Sequence, residues 1–263
     1  MKKLTKAVLA ILVVASSITA CKKGDDDPGL SLSSRKSRIA GEWKVASYDA
    51  AITDVTTNNG ATSVTTETNV NSTKIAGSSY TSTSNVTSTQ PSFTSYTETE
   101  TGTVSEFTYT IEKDGTWTSK NVTKITSSNT TAGGASTTDA KNITTTIESS
   151  GTWQFLGKNS GAELKNKEAV LLSTAKSTTT RVVVATDGTN FTSTSISNET
   201  YALNEYTQVW TLSQLAKKDM AANIAVDNKY DGSSTVTSGS SSNTFKDGPD
   251  SSKGTITVTF TQD

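Results

Sequence analysis

The chain has 263 residues, 24 of them basic and 25 acidic, with one cysteine and no histidine. Near-neutral charge without a basic stripe excludes the electrostatic footprint of a nucleic-acid binder and gives no attraction to anionic lipid head groups. Hydrophobic residues make up only 32%, low for a globular chain, but Ser and Thr fill much of the remainder, and Thr is a strand former, so the composition predicts sheet with solvated outer faces rather than disorder.

At the N-terminus, Met1 to Lys6 is basic, Ala7 to Ala15 is apolar throughout, and Ser16 to Ala20 is mostly small. That order reads as a secretory signal peptide over residues 1–20. Its apolar run is shorter than the roughly 20 residues a transmembrane helix needs, and no later segment comes close. Ile18-Thr19-Ala20-Cys21 resembles the lipobox of bacterial lipoproteins, which implies palmitate-type acylation of Cys21 after cleavage before it. Two or three acyl chains make a stable anchor where one does not, and acylation leaves the folded part without a thiol. Cleavage would also remove Lys2, Lys3 and Lys6, taking the net charge from −1 to −4. Residues 21–37 begin Cys-Lys-Lys-Gly-Asp-Asp-Asp-Pro-Gly and read as a flexible tether. The lysines and aspartates beside Cys21 resemble the export signal of Bacteroidota lipoproteins, which implies the outer membrane and display on its outer face.

Beyond the tether, period-two alternation dominates the chain. In Gly41 to Tyr48 it puts Trp43, Val45 and Ser47 on one face. Residues 50–102 are mostly Thr, Ser and Asn; Val64, Thr66, Thr68 and Val70 share a parity, which predicts two long, partly exposed strands. Phe107 to Ile111 alternates cleanly into Asp114-Gly115, a type I′ hairpin signal, and Thr116-Trp117 leads away. Ile143 to Glu148, Ser149-Ser150-Gly151 and Thr152 to Leu156 read as a second hairpin of the same form. Ala169 to Leu172 is a short apolar strand. Arg181 to Ala185, Asp187-Gly188 and Phe191 to Thr194 form a third hairpin. Tyr201 to Leu212, Asn223 to Val226 and Thr255 to Phe260 supply later strands. Ser213 to Met220 could form a turn or two of helix capped by Ser213, and 132–135 and 238–243 read as flexible loop tips. Eight or so strands joined mostly by hairpins predict an all-β fold, first an up-and-down antiparallel barrel, second a β-sandwich.

Gly41-Glu42-Trp43, the Phe107 to Trp117 stretch, Ser150 to Phe155 and Val209 to Leu215 resemble lipocalin-like lipoproteins of Bacteroidota. The resemblance spans roughly 38–263 and implies one barrel in which Gly41 and Trp43 are structural, Trp43 plugging the closed end. The Thr-rich stretch after Asp49 is longer than a compact lipocalin needs. If a ligand binds, the barrel mouth is its site, with Trp117, Trp153 and Trp210 as candidate lining residues; the ligand is then a small apolar molecule. The alternative is a surface β-sandwich module that binds a glycan or another envelope protein. Catalysis is not expected: there is no imidazole, no nucleotide-binding glycine pattern and no distinct carboxylate pair. Asp25-Asp26-Asp27 lacks an EF-hand spacing, and Asp227, Asp231, Asp247 and Asp250 read as turn residues. No metal or cofactor is implied.

Overall fold

Alternating Thr and apolar residues keep most of the described residues extended, and the strands close on themselves. The computed structural model describes residues 35–59, 64–156, 168–185, 191–229, 233–238, 241–246 and 251–262. The signal segment, Cys21, most of the tether, Asp187-Gly188, Asp231, Asp247 and Asp250 lie outside them. Among the described residues, one short helix, α1 (Arg35–Ile39), precedes thirteen strands. These are β1 (Gly41–Asn59), β2 (Val64–Ala76), β3 (Ser79–Ser88), β4 (Tyr96–Ile111), β5 (Thr116–Ala132), β6 (Ala135–Leu156), β7 (Glu168–Val184), β8 (Thr192–Thr200), β9 (Tyr206–Leu215), β10 (Asp219–Lys229), β11 (Ser233–Ser238), β12 (Ser241–Lys246) and β13 (Ser251–Thr261).

Eight of them form a closed antiparallel ring in the order β1-β4-β5-β6-β7-β9-β10-β13 and back to β1. That is sequence order, so the ring is an up-and-down barrel, the architecture that the alternation favours. Ring closure leaves the lower half without an edge. The other strands are insertions. The β2–β3 hairpin wedges between the upper parts of β1 and β4. β11 and β12 form a separate ribbon between β10 and β13. β8 and β9 run in the same direction along β7, β8 on its upper half and β9 on its lower half. They are one crossing of the barrel broken at residues 201–205.

The apolar core fills the lower half. Trp43, Trp210, Phe260, Ile39, Ile111, Leu172, Met220 and Val170 are each under 2% exposed. Tyr109 meets Trp210 and Phe260 edge-on at 5.1 and 5.7 Å, and those two rings stack at 5.3 Å, within the preferred range for aromatic pairs. Helix α1 closes this end. A five-residue helix is not stable alone; it is held because Ile39 is fully buried and its carbonyl accepts the Trp43 indole N–H at 2.7 Å. Arg38 donates to the Leu215 carbonyl, and the Lys36 ammonium lies over the Trp153 ring at 5.7 Å. Residues 35–37, the end of the segment 21–37 read as tether, are therefore helical and packed against the barrel. Gly41 follows with φ +146°, and an added Cβ would strike the Gln262 side chain, so this position is restricted to glycine.

Several local readings are corrected. A bulge between Val45 and Ser47 flips the parity of β1, so Tyr48, Ala50 and Ile52 follow Trp43 and Val45 inward, while the Ser47 hydroxyl hydrogen-bonds Thr259. Residues 50–102 hold the rest of β1, all of β2 and β3 and the start of β4 rather than two strands, and Thr66, Thr68 and Val70 face outward. At Asp114-Gly115 only the glycine has positive φ (+100°), so the turn is not type I′. Instead Asp114 accepts from the Thr116 N–H and hydroxyl at 2.8 and 2.7 Å, which lowers its pKa. The second expected hairpin does not exist, because β6 runs unbroken through Ser149-Ser150-Gly151. Gly151 is there because the Ser173 carbonyl and the Trp117 indole crowd it, leaving no room for a Cβ; a strand glycine can mark close approach as well as a turn. Residues 213–220 are not helical: 213–215 end β9, 216–218 form a tight turn, and Asp219 and Met220 begin β10. Residues 132–135 form a two-residue turn with Ala132 paired to Ala135. Asp227 lies within β10, facing Lys253 at 4.0 Å, rather than in a loop.

Trp43→Ala removes one of the four tryptophans packed at the closed end and should cost about 3–5 kcal/mol, as for other buried aromatics. Urea unfolding followed by circular dichroism measures this; an unchanged midpoint would show that the closed end does not depend on that ring.

Candidate functional site

The three candidate tryptophans lie in the core. Trp210 is 1% exposed and Trp117 and Trp153 are 5% exposed. Each indole N–H is taken by the protein: Trp117 donates to the Thr152 and Ser173 carbonyls, Trp153 to the Glu112 carbonyl at 2.8 Å, and Trp210 to the Gln208 side chain. They pack with Trp43 around the closed end and are not brought to a surface. Cys21 lies outside the described residues.

Above this core the inward face turns polar. Antiparallel partners share a face, and the row through buried Ala50 runs Ala50–Thr73–Ser82–Glu100–Ser128. The Ser128 hydroxyl, 1% exposed, donates to Glu98 at 2.6 Å. Burial, then the neighbouring Glu98, pushes the Glu100 carboxyl up, against the pull of Lys141 and Arg181. Asp54 accepts from Asn71 at 2.8 Å and from Ser252 at 2.6 Å. Where the polar and apolar levels meet, tyrosines cluster. Burial, then Tyr206 and Tyr80, pushes Tyr48 up to about 12, and burial raises Tyr109 further. Tyr206 is 44% exposed and stacks on Tyr201 at 5.1 Å, at the break between β8 and β9.

The outer face of the lower half carries a groove of about 510 Å³. Two rows of side chains cross it. One runs Glu42–Thr110–Thr118–Ser150–Lys176, the other Thr108–Lys120–Glu148–Thr178, each made of directly opposed residues on successive strands. Neighbours along a row are about 4.8 Å apart and the rows about 7 Å apart. Lys120 is bound to Glu106 at 2.7 Å, which raises its pKa. The groove thus offers hydroxyls, carboxylates and ammonium groups on a rigid grid and no large apolar surface. The sequence shows these residues only as the outward members of alternating strands. Nothing in their spacing marks them, because strands far apart in the chain must first be put in register.

No family model matches the chain, and no curated protein and no solved structure is significantly similar to it.

The tyrosine level sets an alkaline limit. Tyr48 ionises near 10 in the unfolded chain and about 12 in the fold. The neutral phenol is the form the fold favours, so this stabilisation is full below pH 10 and is lost as pH rises from 10 through 12. Denaturation midpoints should fall over that window, and Tyr48→Phe should remove part of the fall; equal slopes for the two proteins would exclude Tyr48 as its source.

Proposed function

We propose that this is a lipid-anchored cell-envelope protein, held at the outer membrane by acyl chains on Cys21, whose lipocalin-like barrel binds rather than catalyses. The ligand is polar and hydroxyl-rich, of the glycan class, and its seat is the outer groove. The observation that carries this reading is the groove's lining: its volume falls in the usual range of ligand sites, but its walls are Thr, Ser, Glu and Lys. A small apolar ligand in the mouth fits less well, because the closed half is filled by aromatic side chains and the inward face above it carries Thr73, Ser82, Glu100 and Ser128. Helix α1 sits at the closed end and continues from the tether segment, which would hold that end toward the bilayer and turn the open end away from it.

Two measurements test this. Cys21→Ser should move the protein from the detergent phase to the aqueous phase in a cloud-point partition of host cells, with loss of the acyl mass; a parent chain already found in the aqueous phase would remove the anchor. Titration of envelope oligosaccharides followed by native mass spectrometry should detect a complex. Lys176→Ala and Glu148→Ala should weaken it about 10-fold or more, the usual loss for a charged hydrogen-bond partner. Binding unaffected by both would take the site away from the groove.

A further inference from the structure

The strand β8 has one partner. It pairs with β7 through Lys176–Thr200 to Val184–Thr192, and its other edge has no strand beside it among the described residues. All nine of its residues are exposed. The bonds Ala185 N–H to Phe191 carbonyl and Tyr201 N–H to Ala175 carbonyl fix the hydrogen-bond parity: odd-numbered residues bond to β7, so the N–H and C=O groups of Thr192, Thr194, Ile196, Asn198 and Thr200 point to the open edge. An edge of this length is a template for another strand, and natural proteins guard such edges with Lys, Pro or a bulge. The sequence Thr-Ser-Thr-Ser-Ile-Ser-Asn-Glu-Thr contains neither Lys nor Pro, and its pairing with β7 shows no register shift.

We propose that the open edge of β8 is a homodimer interface, where two copies pair antiparallel about a two-fold axis through Ile196 and join their sheets. The strand complements itself in this register. Ile196 is the midpoint of β8 and its one large apolar residue, 63% exposed, and the axis sets it against its own copy. Because its backbone groups point outward, this pair is a hydrogen-bonded one, as the ladder requires. Around it Ser195 meets Ser197, Thr194 meets Asn198 and Thr192 meets Thr200, pairs able to hydrogen-bond across strands. Glu199, the strand's only charge, meets Ser193, so no like charges oppose. A two-fold through Thr194 or Asn198 would leave part of the strand unpaired; the axis through Ile196 uses all of it. An isologous two-fold contact is also the commonest way identical chains associate.

The test uses the full chain extracted in mild detergent. Analytical ultracentrifugation should give twice the protein mass of one chain, and Ile196→Lys should return it to one; a parent chain of single mass, or a lysine variant that stays dimeric, would overturn the proposal. Cysteine cross-linking reads the register independently. Residues facing each other in a hydrogen-bonded pair have Cα atoms about 5.5 Å apart, within disulfide reach, whereas two copies of Thr194, four residues out of line and one strand across, would lie about 14 Å apart. Mild oxidation should therefore cross-link Ile196→Cys at least several-fold more than Thr194→Cys, each scored against the parent chain so that any bond through Cys21 is subtracted. Equal cross-linking of the two variants would rule out the two-fold through Ile196.

Discussion

The structure depends on four residues of β1 reaching β4. Gly41 to Lys44 pair with Thr108 to Ile111, and this short ladder closes the ring. Immediately above it the two strands part to admit the β2–β3 hairpin. Bulges sit on both sides of the fork, between Val45 and Ser47 on β1 and between Val104 and Glu106 on β4. Each adds local twist and re-aims the strand above it. Backbone groups at the fork are still paired: the hairpin tip supplies Gly77 N–H to the Ala46 carbonyl, and the Ser78 carbonyl takes the Val104 N–H. A fork without those bonds would bury unpaired amides, at a cost comparable to lost hydrogen bonds.

The fork also divides the molecule by chemistry. Below it, β1, β4 and their neighbours face one another across a narrow ring, and only packed aromatic and aliphatic side chains fill that space at interior density. Above it the ring takes in extra strands on one side and splits between β8 and β10 on the other, and many inward residues become Ser, Thr, Asn, Glu and Arg, among a few apolar ones such as Val86 and Ile143. Polar residues there cost little where they pair with each other, as Asp54 does with Asn71 and Ser252. The same division leaves the lower barrel to carry its polar side chains outward, where two rows meet in the groove, and leaves β8 with an open side.

The break between β8 and β9 and the bulge on the other flank of β7 follow one rule. At residues 201–205 the chain leaves β7 after Thr200 and rejoins it at Tyr206, while Tyr201 N–H and Asn204 N–H bond to Ala175 and Ser173. The opposite flank of β7 carries its own irregularity, between Ser150 and Gly151. Here Gly151 admits the Trp117 indole and the Ser173 backbone together. Irregularities on adjacent strands at one level let the barrel change shape there without stranding backbone groups.

Alternation in Phe107 to Ile111, Thr255 to Phe260 and Arg181 to Ala185 determined that these are strands, and the succession of short alternating runs determined that the fold is all-β and antiparallel. Those features are local, and a period of two is visible in a single stretch of chain. Which way a parity points is not local. Ser47 left the expected face because of a bulge, pairing with β1 decided that the shared face of Thr66, Thr68 and Val70 is the outer one, and Gly151 was a contact rather than a corner. The tryptophans were legible as large buried groups, yet whether they line a cavity or fill it depends on the ring's diameter. The groove and the open edge of β8 arise only when distant strands are in register. Tertiary structure decided these because register and closure are set by pairing across the whole ring, and no window of sequence contains both partners.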